Sequence, residues 1–196
     1  MNRAKKLLYG AMVLAMAVGL VAPAGATTLI RESLDELVAG NRAIVVGEVV
    51  DASSYWNEDH TFILTDVRIA TYESLKGDAG QEFTVTLMGG HVGDLTTLIV
   101  AGAELIPGRS YLLFLNEENL PGKRALTVRD HVQGAFDIKM GRDGLRAVSQ
   151  AGRHPLVPDR QGYTEAPGGV EGMPLNAMRQ SIREAVDRQR ARQEVQ

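Results

Sequence analysis

The sequence predicts an all-β domain, a small Greek-key β-barrel with a short helix before it and a second helix after it. Six to eight short apolar runs are separated by turn residues at regular spacing, which is typical of a small barrel or sandwich. The first two runs are long, and the first carries Gly47 in its middle, which favours the bent, coiled strands that close a barrel. The barrel is expected to span residues 27–151, enough chain for one domain with its own core.

The predicted elements begin with the N-terminal helix. Ser33 and Glu36 form a capping-box pattern, and Gly40 ends the helix after about two turns. Alternation of apolar and polar residues then indicates strands, and the run from Tyr111 to Leu115, apolar on both faces, is predicted to be the most buried strand. The predicted strands comprise residues 43–52, 61–74, 83–87, 95–100, 111–115, 125–128, 132–140 and 145–148.

The C-terminal part of the chain is predicted to be a linker followed by a helix. Residues 152–174 are rich in proline and glycine, a composition typical of a linker without a core of its own. In residues 175–196, an apolar stripe with helical spacing is expected to lie on the barrel or to fray in solvent, and a partner-binding helix is the alternative. The stripe comprises Leu175, Met178, Ile182 and Val186. Burying these side chains contributes at most about 6–12 kcal/mol. Ordering the segment costs on the order of 20 kcal/mol, so residues 152–196 are expected to be dispensable for folding.

The first 26 residues predict export. Three basic residues precede an apolar run from Leu7 to Val21, and Pro23 and small residues up to Ala26 follow, as in a secretory signal peptide. The apolar run is short for a spanning helix, which needs about 20 residues. Cleavage between Ala26 and Thr27 is therefore expected, with no stable membrane span afterwards, in the bacterial periplasm or exterior. An uncleaved N-terminal anchor is the alternative.

The composition excludes several classes of function. Without residues 1–26 the chain has 18 Lys and Arg against 24 Asp and Glu, a formal charge of −6. This charge disfavours nucleic acid and anionic membrane surfaces as partners. The chain has no cysteine, which excludes disulfides, thiolate metal sites and a cysteine nucleophile. No cofactor and no metal are expected.

Three residues are candidates for a binding site, and none is assigned as catalytic. His91 lies in a glycine-rich turn that ends at Asp94, and the favoured interpretation is a polar loop tip, because the four histidines share no metal-ligand spacing. The alternative is a hydrolase-type enzyme in which His91 acts with Asp94 as acid or base. Tyr55 and Trp56 form an aromatic pair that suits a protein hot spot or a sugar-stacking surface. Because Trp is highly buried on average, Trp56 is rather expected to cap the rim of the barrel.

Four segments of the predicted barrel resemble known secreted proteins. Residues Ile44–Val50, 65–67, Glu73–Gly77 and Pro107–Leu115 are similar to a group of secreted bacterial proteins of uncharacterised function. More distantly they resemble the OB-fold of tissue inhibitors of metalloproteinases and netrin-like modules, which share the patterns V-x-G-x-V, K-G at a strand end, and G-x-x-Y-L. The resemblance covers about residues 43–116 and implies an OB-like barrel.

The inhibitor mechanism does not follow from this resemblance. Those inhibitors chelate the protease zinc with an N-terminal cysteine, whereas this chain has none and its predicted mature N-terminus is Thr27. No site residue is therefore implied. The leading expectation is an exported, non-catalytic OB-like module that binds a protein or a cell-envelope component. A secreted hydrolase using His91, and glycan binding through Tyr55 and Trp56, remain the alternatives.

Overall fold

A computed structural model describes residues 31–129, 131–153 and 171–194 of the chain. In this part the chain is mostly β-sheet, with one helix at each end. The predicted signal peptide and most of the predicted linker lie outside the described residues. Within the described residues, no helix combines the length and apolarity needed to cross a membrane.

The two helices and the strands have the following bounds. Helix α1 is Leu34–Gly40 and helix α2 is Leu175–Glu194. Two short 3-10 turns, His131–Gly134 and Gln150–Arg153, flank the last strands. The strands are β1 (Ala43–Trp56), β2 (Ile63–Lys76), β3 (Glu82–Met88), β4 (Gly90–Val92), β5 (Leu95–Thr97), β6 (Ser110–Leu120), β7 (Lys123–Val128), β8 (Ala135–Gly141), β9 (Gly144–Ser149) and β10 (Met173–Pro174).

The strands form one large antiparallel sheet and one small ribbon. The order in the large sheet is β10-β9-β8-β6-β1-β2-β3, and β7 pairs with β6, while β4 and β5 pair only with each other. Three register shifts bend the β1–β2 pair, one of them beside Gly47. A Cβ at Gly47 would lie 2.6 Å from the carbonyl oxygen of Ala70, so this close crossing of the strands requires glycine.

The curled sheet does not close into a barrel. Strands β3 and β7 approach each other, but no ladder of hydrogen bonds joins them. The predicted β-rich fold is thus confirmed, whereas a closed Greek-key barrel is not. Residues 99 to 103 border the seam between β3 and β7 together with Leu87 of β3 and Val128 of β7. The seam is therefore faced by a loop and not by a paired strand.

Alternate residues of the central strands supply two separate cores. On β6, Leu113 points into the inner core enclosed by the curled sheet, and Phe114 points into the outer core beneath the helices. All five residues from Tyr111 to Leu115 are buried, which confirms the prediction for this strand. On β1, Val45 belongs to the inner core and Ile44 to the outer core.

Helix α1 matches its prediction closely. The Ser33 side chain accepts from the backbone N–H of Glu36, and the Glu36 carboxylate accepts from the backbone N–H of Ser33, so the capping box is present. The helix places Leu37 and Val38 on the outer core.

Helix α2 is part of the outer core, and three of its arginines form ion pairs with neighbouring elements. Its buried residues are Leu175, Met178, Ile182, Ala185 and Val186. Arg179 and Arg183 form ion pairs with Glu73 of β2, and Arg188 pairs with Asp35 of α1. The structure therefore favours a helix that completes the core over one that frays in solvent.

Several element boundaries differ from the sequence prediction. Strand β1 extends to Trp56 and β6 to Leu120, while β10 and the second half of the 3-10 turn Gln150–Arg153 fall within the predicted linker. The predicted strand 95–100 is paired only over Leu95–Thr97, and the predicted strand 132–140 begins with a 3-10 turn. Both shortened strands border the seam, where backbone conformations are irregular.

Candidate functional site: a cleft and an apolar rim at the seam

Tyr55, one of the predicted binding residues, belongs to a polar cluster that joins four strands, β1, β2, β3 and β7. Its hydroxyl donates to Asp66 Oδ1 at 3.0 Å, and the ammonium of Lys123 donates to the Tyr55 hydroxyl at 2.9 Å. Lys123 also lies 5.5 Å from the ring centroid of Tyr55, and Thr86 donates to Asp66 at 2.6 Å. These contacts tie β7 to β1 and β2.

The electrostatics of this cluster keep Lys123 charged. Burial lowers the pKa of Lys123, but the hydrogen bond to Tyr55 and the charge of Asp66 outweigh it, so the pKa lies above its usual value. Trp56 is half-buried and follows Tyr55 directly on β1, so its side chain faces the other side of the sheet. The two rings therefore do not form one stacking surface.

His91 lies exposed on the β4–β5 ribbon. Its Nδ1 is 2.9 Å from Oγ1 of Thr96, the residue directly opposite on β5. Asp94 occupies the turn of the ribbon, and the described residues contain no hydrogen bond between it and His91. No group of three or more histidine and acidic side chains in the described part could hold a metal ion.

The paired glycines before His91 have a structural role. Gly89 and Gly90 have φ values of +87° and +140°, and a Cβ at Gly89 would lie 2.7 Å from the carbonyl oxygen of Thr97. A Cβ at Gly90 would collide with the hydroxyls of Ser54 and Thr65. Glycine thus allows the β4–β5 ribbon to fold tightly against β1 and β2.

A cleft of about 530 Å³ lies between the inner sheet and residues 97–105, which we call the seam segment. Its lining is mainly apolar and includes Val67, Leu87 and Ile99. This volume is within the range of about 300–1,000 Å³ that is typical of ligand sites. The sequence-predicted candidates Tyr55, Trp56 and His91 do not line it.

The polar groups of the cleft hold the seam segment in place. The Gln150 amide exchanges two hydrogen bonds with the backbone of Glu104, at 2.9 and 2.8 Å, and also donates to Asp137. Arg153 forms ion pairs with Glu104 and Asp137. These polar groups hydrogen-bond and pair with one another. A ligand in the cleft would therefore contact mainly apolar side chains.

Backbone strain is concentrated beside the cleft. Ala101 and His131 have φ values of +57° and +59°, unusual for residues other than glycine. The two residues are linked through Val132, which follows His131 and whose backbone N–H donates to the carbonyl oxygen of Ala101 at 3.1 Å. Such strain of about 1–3 kcal/mol per residue clusters at functional sites, because the surrounding structure must hold it.

Three large aliphatic side chains of this region are exposed, and we call them the apolar rim; one of them, Leu98, also lines the cleft. Leu95 is 60% exposed, Leu98 86% and Val100 90%. No charged residue occurs from Leu95 to Ala103. The sequence predicts only a short strand over residues 95–100 and does not identify the rim.

A second exposed apolar pair lies elsewhere and serves as a comparison. Met140 and Leu145 are 76% and 48% exposed and face each other across the β8–β9 hairpin. This pair is flanked by the charged side chains Lys139, Arg142 and Arg146, whereas no charged residue lies between the rim residues.

Comparison with known proteins does not assign a function to this chain. Fold alone would not assign an activity in any case, because one fold hosts many functions. No known protein family matches the sequence, and no curated protein matches it significantly.

Proposed function

We propose that this protein is an exported, non-catalytic binding module that engages another protein through the apolar rim. The observation that carries the proposal is the nearly complete exposure of Leu98 and Val100 on an uncharged stretch beside the cleft. Contiguous exposed apolar surface on a soluble domain marks interaction sites. The protein component is favoured over other envelope components because the mature charge of −6 repels anionic surfaces.

The proposal includes an OB-like architecture for the curled part of the sheet. Strands β1, β2, β3, β6 and β7 would form a barrel that is open between β3 and β7. The V-x-G-x-V and G-x-x-Y-L patterns support it, because Gly47 of the first is paired with Tyr111 of the second. The netrin-like resemblance belongs to this proposal and adds no site residue to it.

Export is supported by the basic, apolar and small-residue regions of residues 1–26. Intact-mass measurement of the protein recovered from the periplasm or medium is expected to give Thr27 as the first residue. Retention of Met1 in a membrane fraction would replace cleavage with an N-terminal anchor.

Site-specific photo-cross-linking tests the binding proposal. The exported protein carries a photoreactive amino acid at Val100 in one variant and at Leu145 in a matched control. A defined cross-linked protein is expected from position 100 and not from position 145, and Leu98→Asp in the same chain should remove it. Equal cross-linking from both positions, or no effect of Leu98→Asp, would contradict binding at the rim.

A further inference from the structure

The cleft beside the seam segment has a buried apolar floor and an open mouth. Val67, Leu105 and Val132 line it, and all three side chains are buried. Leu98 also lines it and is nevertheless 86% exposed, so this side chain stands at the mouth. A molecule that fills the cleft would contact the floor and take Leu98 out of water, and the removal of apolar surface from water favours binding.

The charged side chains at the cleft are paired with one another. Among the described residues, only Glu104 and Arg153 are charged and line the cleft, and they form an ion pair. Arg153 also pairs with Asp137. A charged ligand would lose its hydration in the cleft without meeting an opposite charge that is not already paired. The cleft therefore favours an uncharged ligand.

The seam segment is an anchored wall of the cleft. The N–H of Gly102 donates to the carbonyl of Ile99 at 3.0 Å, which closes a turn, and the Gln150 amide exchanges two hydrogen bonds with the backbone of Glu104. Because these contacts hold the segment, little conformational freedom would be lost when a ligand enters. Small-molecule sites are usually formed in advance in this way.

The size of the space fits a small molecule better than a single side chain of a partner protein. Besides the cleft of about 530 Å³, a smaller space of about 40 Å³ lies between β3 and β7. Leu87, Gly102 and Ala103 border both spaces, and the last two residues have no side chain beyond Cβ. One inserted side chain would leave most of the cleft unfilled, whereas a small molecule of ordinary ligand size occupies such a volume.

We propose that the cleft is a binding site for an uncharged small molecule that consists mainly of hydrocarbon. Its hydrocarbon part contacts Val67, Leu87 and Val132, and Leu98 covers it at the mouth. This inference goes beyond the protein partner proposed for the apolar rim, because the rim residue Val100 does not line the cleft. The two sites share Leu98 and are tested separately through the residues that they do not share.

The experiment uses the exported protein and two fluorescent probes that differ by one charged group. N-phenyl-1-naphthylamine is uncharged, and 8-anilino-1-naphthalenesulfonate has the same rings with an added sulfonate. Fluorescence titration at high ionic strength, which screens the net charge of the chain, measures the affinity for each probe. Methyl NMR spectra locate the uncharged probe. Leu98→Ala and Val100→Ala are matched variants, since both side chains are exposed but only Leu98 lines the cleft.

The uncharged probe is expected to bind at one site per chain and to shift the methyl signals of Val67 and Val132, while the signal of the exposed Met140 stays in place. The sulfonate should bind at least tenfold more weakly, because it carries a charge into the cleft. Leu98→Ala should weaken binding of the uncharged probe at least threefold, and Val100→Ala should leave it unchanged.

Three results would overturn the site: no saturable binding of the uncharged probe, shifts confined to Met140, or equal affinities of the two matched variants. Equal affinities for the two probes would overturn the preference for an uncharged ligand. A protein cross-linked from position 100 would still support the proposed function in each of these cases. Conversely, an occupied cleft without that cross-link would support the small-molecule site and contradict the protein partner.

Discussion

The two faces of the curled sheet are covered in different ways. The outer face lies beneath α1 and α2, where regular helices bury Phe114 and Ile182 completely. Arg179, Arg183 and Arg188 add ion pairs at the edge of that core. The inner face is enclosed by the sheet itself except at the seam, where residues 97–105 leave a cleft and the apolar rim.

The outer face, covered by helices, contributes mainly to stability, whereas the inner face is accessible to ligands at the seam. In a helix the backbone N–H and C=O groups hydrogen-bond within the helix, so its side chains can fill the outer core without other backbone partners. The seam segment depends on a few specific contacts and on residues with positive φ, such as Ala101. Irregular segments on a rigid scaffold are where binding residues are commonly found. The following predictions test whether the two faces divide these roles.

The largest effect is expected from removing α2. A chain ending at Arg153 should lose its cooperative thermal transition or become insoluble, because the core of Ile44, Phe114 and Phe136 would lose the five buried side chains of α2 and keep only those of α1. Circular dichroism of the truncated protein measures this loss. The matched control ends at Val186, which removes only the exposed last turns and one surface ion pair of about 0–1 kcal/mol.

This expectation reverses the estimate made from the sequence. The apolar stripe of α2 does not lie on a surface that is otherwise complete, since it belongs to the same core as buried side chains of β1, β6 and β8, which α1 covers only in part. An Arg153 truncation that melts like the full chain would restore the view that residues 152–196 are dispensable.

Neighbouring residues on β6 compare the two cores directly. Leu113→Ala should reduce the free energy of unfolding by about 2–5 kcal/mol, and Phe114→Ala by about 3–5 kcal/mol. Both side chains are fully buried, one in each core. Chemical denaturation measures both values. A loss of only a few tenths of a kcal/mol for Leu113→Ala would mean that the open seam lets the inner core relax around the cavity.

A smaller effect is expected at the base of the β4–β5 ribbon. Gly90→Ala should cost about 1–3 kcal/mol, because its φ of +140° strains an L-residue and its Cβ meets the hydroxyls of Ser54 and Thr65. Gly93→Ala is the control, since its φ of +61° carries strain of about 1 kcal/mol but its Cβ enters open space. Denaturation midpoints that fall equally would show that the ribbon shifts to make room at Gly90.

The elements predicted well are those whose signal is local. The capping box of Ser33 and Glu36 needs only four residues, and the apolar run Tyr111–Leu115 marks a buried strand without knowledge of its neighbours. The bend at Gly47 was likewise expected from a glycine within a strand. In each case the physical cause lies within one element.

The seam could not be predicted because it depends on long-range geometry. Whether β3 pairs with β7 is decided by the accumulated curl of five strands, which no local pattern encodes. The residues Leu98-Ile99-Val100 have strand composition, but the chain turns at Val100 and Ala101, where the N–H of Gly102 donates to the carbonyl of Ile99. Tyr55 and His91 were chosen by residue type, and the structure places both in local hydrogen bonds away from the cleft.

The smallest effect on stability is expected at the rim itself, and it gives the sharpest test of the division between the two faces. Leu98→Ser/Val100→Ser should change the free energy of unfolding by no more than about 0.5 kcal/mol, as at other exposed positions. Ile99→Ser is the matched control, because the intervening side chain is partly buried and its loss should cost at least about 1 kcal/mol. Equal losses for the two variants would mean that Leu98 and Val100 are already covered in the free protein. If the double variant unfolds with the same free energy as the wild type, the two exposed aliphatic side chains contribute nothing to folding. Their role would then be in binding.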